Sequence, residues 1–131
     1  MIIPLLKGLT VTFLEFFKKP VTLKYPYEKR EPYPRWRGLH RFKRKEDGKE
    51  KCVACCLCER VCPAKAISIE VYEEEGGIRY AKSYEIDLAR CIFCGFCVEA
   101  CPVDALEMTT EYELAEYTRE DLICRKDRML R

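Results

Sequence analysis

Apolar residues recur at helical spacing at the start of the chain. Ile2, Leu6, Leu9, Phe13, Phe16 and Phe17 fall on one stripe, with Lys7, Glu15, Lys18 and Lys19 elsewhere. This period predicts an amphipathic helix over residues 2–19. Pro4 suits its first turn and Pro20 ends it. Its charge-free stretch, Gly8–Leu14, is far too short to span a bilayer. Residues 20–50 have no period. Pro20, Pro26, Pro32 and Pro34 interleave with Tyr25, Tyr27, Tyr33 and Trp36, which predicts an extended arm. Farther along, Ile67, Ile69 and Val71 alternate, and Ile78 and Tyr80 resume the alternation beyond Glu73-Glu74-Glu75-Gly76-Gly77. That pattern predicts a β-hairpin with strands in 64–72 and 78–88 and a turn at Gly76-Gly77. Short helices are expected from about Glu59 and about Val98. Residues 111–131 are expected to be helical in part, with Leu114, Tyr117 and Leu122 on one side.

Charge divides the chain in the same way. The 131 residues carry 24 Lys and Arg against 22 Asp and Glu, a net of +2. Residues 1–50 hold thirteen basic and six acidic residues, residues 51–110 six and ten, and residues 111–131 five and six. Hydrophobic residues make up 48%, too many for a wholly disordered chain. The balance also lacks the basicity of a dedicated nucleic-acid binder. The predicted organisation is a basic, aromatic docking arm over 1–50, a compact module over 51–110 and a C-terminal arm over 111–131. Eight of the fifteen aromatics lie between Phe13 and Phe42. Linkers seldom carry so many, so the arm is expected to be ordered by docking on a partner.

Nine of the ten cysteines sit in the acidic middle. No small-residue cleavage site follows the first apolar residues, where Phe16 to Pro20 come next, so the oxidising, disulfide-forming route is not expected. Instead the cysteines form two blocks, Cys52-x2-Cys55-x2-Cys58-x3-Cys62-Pro63 and Cys91-x2-Cys94-x2-Cys97-x3-Cys101-Pro102. The blocks repeat at an offset of 39, which also matches Lys51 with Arg90, Val53 with Ile92, Ala66 with Ala105 and Ile67 with Leu106. This run is the [4Fe–4S] spacing in which the fourth cysteine ligates the other cluster. Cys52, Cys55, Cys58 and Cys101 are therefore assigned to a first cluster, and Cys91, Cys94, Cys97 and Cys62 to a second. Zinc knuckles would pair cysteines at longer separation and need no trailing Cys-Pro. Cys56 and Cys124 are expected to be small buried hydrophobes. His40 is expected to make a hydrogen bond at an interface. Val53, Leu57, Ile92 and Phe96 are expected to form a dry shell. The fold class is α+β: a two-[4Fe–4S] ferredoxin-like core with a pseudo-twofold repeat and a β-hairpin insertion, preceded by the helix and arm.

Beyond the cysteines, further segments carry a family resemblance. They are Gly8-Leu9-x2-Thr12, Phe17-x-Lys19-Pro20-Val21-Thr22, Tyr25-Pro26, Arg37-Gly38-Leu39-His40, Lys51-Cys52-Val53-Ala54-Cys55, Cys91-Ile92-Phe93-Cys94-Gly95 and Tyr112-Glu113-Leu114-Ala115. With them the chain resembles the subunit I family of respiratory complex I, the TYKY-type subunit of NADH:quinone oxidoreductase. The resemblance covers nearly the whole chain. It implies a subunit of the peripheral arm close to the membrane domain, whose two clusters relay electrons from NADH and flavin toward quinone. It implies other subunits of that enzyme as partners, no nucleic acid, and a helix over residues 1–19 that lies along the membrane. The place implied is peripheral, on the cytoplasmic side of the cell membrane if the chain is bacterial. Cys56 departs from the family, whose members commonly carry lysine or another polar residue there. Losing a cation beside the first cluster favours a lower potential. Two other readings share the cluster spacing: the equivalent subunit of a membrane-bound hydrogenase or related complex, and a free soluble ferredoxin. The second has no use for a 50-residue arm.

Overall fold

The computed structural model describes residues 2–74, 77 and 79–130, and these fall into two units, one ending at Glu31 and the other beginning at Pro32. The first unit holds α1 (Ile2–Phe16), which buries none of its residues. The helix closes near the predicted end. Phe17 N–H still reaches the Leu14 carbonyl and Lys18 N–H the Glu15 carbonyl, and Lys18 also pairs with Glu15 through its side chain. Phe17 packs edge-on against both Phe13 and Phe16. Pro20 forbids a further turn. None of the described helices is long and apolar enough to cross a membrane.

The second unit is built on two small antiparallel sheets. Its elements are β1 (His40–Phe42), α2 (Leu57–Val61), β2 (Ile67–Glu73), β3 (Arg79–Asp87), α3 (Phe96–Glu99), β4 (Leu106–Met108), β5 (Ile123–Arg125) and α4 (Lys126–Met129). One sheet pairs β1 with β4, and the other has the order β2-β3-β5. The β2–β3 hairpin is where alternation places it, with Ile67 opposite Ile86 and Ile69 opposite Tyr84. Its register slips between Glu70 and Val71, so the inward face fades toward the tip, where Val71 is exposed. Of the expected turn, Gly77 is described, with a left-handed φ of 79°. Gly76 and Ile78 lie outside the described residues. Helices α2 and α3 begin about two residues earlier than expected, at Leu57 and Phe96.

Two expectations are corrected. Residues 32–50 are ordered against the chain itself. Gly38 N–H donates to the Thr109 carbonyl at 2.8 Å, Leu39 N–H to the Glu111 carbonyl at 3.0 Å and Lys43 N–H to the Ala105 carbonyl at 2.8 Å. Trp36 meets Tyr112 edge-on at 6.3 Å. These bonds are made to residues more than sixty positions away, and a three-residue strand leaves no periodic trace. The helical part of residues 111–131 is α4 alone; residues 111–122, with the Leu114, Tyr117 and Leu122 stripe, contain no helix, and Tyr117 is fully exposed. The chain instead reaches Ile123, which pairs with Asp87 as Cys124 pairs with Ile86. Cys124 is fully buried there, the small hydrophobe expected of it.

The core runs between the sheets through Leu39, Phe42, Ile67, Tyr84, Ile86, Leu106 and Met129. Arg37-Gly38-Leu39 enters it under a steric constraint. A Cβ on Gly38 would stand 2.0 Å from the Glu111 carbonyl oxygen and 2.8 Å from that of Thr109. Both obstacles are backbone and cannot swing aside. Gly38→Ala is therefore expected to destabilise the second unit by at least about 1–3 kcal/mol. Thermal unfolding followed through the near-ultraviolet signal checks this, and an unchanged midpoint would refute it.

Candidate metal centres

The two cysteine blocks fold into loops of the same backbone shape. In the first, Ala54 and Cys56 take positive φ values of 49° and 59°; in the second, Phe93 and Gly95 take 51° and 83°. Lys65 and Asp104, after each Cys-Pro pair, are left-handed at 48°. All three pairs obey the 39-residue offset. Left-handed residues reverse the chain within a few positions and turn successive N–H groups to one side, and those groups meet sulfur. Phe93 N–H donates to Cys91 Sγ at 3.4 Å, and Ala54 N–H plays the matching part at Cys52. Proline after the fourth cysteine has no N–H to offer. The donor comes three residues later, from Ala66 to Cys62 Sγ at 3.4 Å and from Ala105 to Cys101 Sγ at 3.2 Å. Both alanines are buried.

The loops enclose two cavities. Cys52, Cys55 and Cys58 line the first together with Cys101 from the other block, and Cys91, Cys94 and Cys97 line the second together with Cys62. Each cavity thus gathers the three spaced thiols of one block with the fourth of the other, and Cys56 lines the first as well. Cys97 borders both. Four thiols arranged round a void, met by backbone N–H donors, are the donor set of an iron–sulfur cube. The apolar walls are Phe42, Ile69 and Leu106 on the first cavity and Ile67, Ile86 and Pro63 on the second. This corrects the expected shell. Val53 and Ile92 touch the cavities but keep exposed faces, and Leu57 and Phe96 project outward from the starts of α2 and α3.

Burial governs the thiols. It pushes Cys52, Cys58 and Cys91 above the ordinary thiol range and Cys97 up to about 12. Neighbouring thiolates add to the shift: Cys101 acts on Cys52, and Cys62 acts on Cys91. The backbone N–H groups of Ala54, Glu59, Phe93 and Val98 oppose it. Iron must displace protons that burial retains, so cluster insertion here is coupled to deprotonation.

Cys56 differs from its expectation. It is half-buried, stands at the left-handed position before α2 and directs its Sγ to the Ala54 carbonyl at 3.6 Å. In the second block Gly95 holds that position, and Arg37 lies 3.3 Å from where its Cβ would be. Arg37 also donates to the Cys94 carbonyl and pairs with Glu99 at 3.8 Å. One residue went unread in the sequence and another was expected elsewhere. Tyr84, 1% exposed, donates its hydroxyl to Cys58 Sγ at 3.5 Å and packs edge-on against Phe42 at 4.8 Å. Its place opposite Ile69 was legible; its hydroxyl's partner, 26 residues away, was not. His40, expected at an interface, is buried instead and lines the second cavity.

Comparison with known proteins agrees with this geometry. A family model described as a 4Fe-4S dicluster domain matches residues 51–119. The chain is 58% identical to NADH-quinone oxidoreductase subunit I 1 of Geobacter sulfurreducens, over 99% of this chain and 98% of that one. It is 56% identical to subunit I 2 of Geobacter metallireducens over the same shares, and 48% identical to subunit I 1 of Symbiobacterium thermophilum over 95% and 80%. Among solved structures it resembles a chain of the membrane-bound sulfane sulfur reductase, an archaeal respiratory membrane complex. The TM-score there is 0.60 and the identity 39%, over 84% of this chain and 55% of that one.

A hydrogen bond to a cluster sulfur stabilises the more negative, reduced state. Tyr84→Phe is therefore expected to lower the potential of the first cluster and leave the second in place. Electron paramagnetic resonance (EPR) during a redox titration reads both. Equal shifts of the two signals would indicate a packing effect instead.

Proposed function

The chain belongs to the subunit I family of the NADH-quinone oxidoreductases, and from that membership we propose that it relays single electrons, within a membrane-associated enzyme, from the NADH and flavin side toward quinone. It carries two [4Fe–4S] clusters. Bound in the cavities, they supply one-electron chemistry at potentials set by hydrogen bonds, charge and water exclusion. The protein's residues hold, orient and insulate them. Cys52, Cys55, Cys58 and Cys101 ligate the first cluster, and Cys91, Cys94, Cys97 and Cys62 the second. The observation that carries this reading is the exchange of the fourth thiol, since Cys101 lines the first cavity and Cys62 the second. The exchange makes the two blocks halves of one pseudo-twofold unit, in which neither cluster is complete without the other block.

Residues 1–19 are the docking element. The phenylalanines and lysines of α1 suit a helix lying at a membrane interface, beside the membrane domain of the enzyme. The location that goes with this reading is peripheral, on the cytoplasmic side of the cell membrane if the chain is bacterial, with other subunits of the peripheral arm and membrane domain as partners. A second reading, the equivalent subunit of another membrane respiratory complex, draws on the likeness to the sulfane sulfur reductase. That likeness has lower identity and covers less of this chain than the Geobacter relatives do.

Cys101→Ser, although in the second block, is expected to abolish or convert the first cluster while the second survives. Iron analysis and EPR of the purified complex decide this, and selective loss of the second cluster would refute the crossed ligation. Deleting residues 2–19 is expected to free the chain from the membrane domain with both clusters intact. Unchanged co-purification with the membrane subunits would overturn the docking role.

A further inference from the structure

His40 is the chain's only histidine and is 2% exposed. It opens β1, whose pairing with Met108 of β4 fixes its backbone. Its ring lies against Phe93 at 5.8 Å with an interplanar angle of 31°. Phe93 is the left-handed residue just before Cys94, so the second cysteine loop itself holds the imidazole. His40 borders two spaces. One is the second cavity, shared with Cys62, Cys91, Cys94 and Cys97. The other is a solvent-open groove of about 490 Å³ lined by Arg41, Thr109, Glu111 and Arg128. Its Nδ1 is sealed from solvent and meets no hydrogen-bond partner among the described residues.

A buried polar nitrogen without a partner is rare and calls for an unseen one. The described residues offer none, and the adjoining cavity is where the second cluster's sulfurs belong. We infer that His40 donates a hydrogen bond from its imidazole to a sulfur of the second cluster and thereby raises that cluster's reduction potential. It is a positioning residue, not a ligand. The inference rests on the proposed assignment of the second cavity. Burial agrees with it, since it disfavours the charged imidazolium and pushes the ring's pKa down. The two centres then have one buried side-chain donor each: the Tyr84 hydroxyl at the first and the His40 imidazole at the second.

The test uses His40→Leu and His40→Gln in the full chain, purified within its membrane complex, with iron and sulfide content measured first. Leu keeps apolar bulk without a donor, and Gln restores one. In His40→Leu, with both clusters present, the reduced-to-oxidised ratio of the second cluster at a fixed poise is expected to fall about tenfold, a shift of about 59 mV for one electron. The first cluster stays put, and His40→Gln recovers part of the shift. Proton electron–nuclear double resonance (ENDOR) of the reduced second cluster is expected to show an exchangeable proton coupling that is lost in His40→Leu, while the couplings of the backbone N–H donors of Ala66 and Phe93 remain. Unaltered potential and coupling would overturn the proposal, as would equal effects of Leu and Gln. Loss of the second cluster in His40→Leu alongside its survival in Cys62→Ser would make His40 a ligand, also against it. A different result would fail the cavity assignment: the signal that shifts would be the one altered by Cys58→Ser rather than by Cys94→Ser.

Discussion

Eight sulfurs must be gathered round two cavities inside a body of one hundred residues, and this constraint organises the structure. Thiolates buried without compensation are costly, as the raised pKa values of Cys52, Cys58, Cys91 and Cys97 show. The compensation comes from iron and from backbone N–H groups turned onto sulfur by left-handed residues. Those conformations are strained for Ala54, Cys56, Lys65, Phe93 and Asp104, which persist in them only because the loops close on something. The cluster-binding loops and the clusters therefore depend on each other, and little of this region could be prearranged in an unfolded chain.

The rest of the fold walls in the two cavities. The β2–β3 hairpin supplies Ile67, Ile69, Tyr84 and Ile86, while β1 and β4 add Phe42 and Leu106 to the first cavity. Residues 32–50 belong to this enclosure. Lys43, for instance, binds Asp104 at 2.7 Å, which holds Asp104 below and Lys43 above their ordinary ranges. A segment that reads as an arm in the sequence is thereby fastened beside the left-handed turn after Cys101. The exposed apolar faces of Val53, Leu57, Ile92 and Phe96 lie outside this enclosure.

What could be read in the sequence was local and periodic. Cysteine spacing announced the loops, the 39-residue offset announced their likeness, and alternation announced the hairpin. Each of these patterns is complete within a few residues. The missed features depend on partners far along the chain. The β1–β4 pair joins three residues to three others more than sixty positions away, and β5 adds only three more to the second sheet. Leu114, Tyr117 and Leu122 mimic a helical stripe, but residues 111–122 follow an irregular path over the surface. Tyr84 looked like an ordinary strand residue, because its significance lies in the Cys58 sulfur it approaches from 26 residues away.

The wall between the two cavities is one side chain thick, since Cys97 borders both. Charge added on one side of so thin and dry a partition is felt on the other with little screening. A second electron entering the module would be repelled by the first. Two centres placed this close are coupled: an electron resting on one makes the other harder to reduce, and its departure makes the other easier to reduce again.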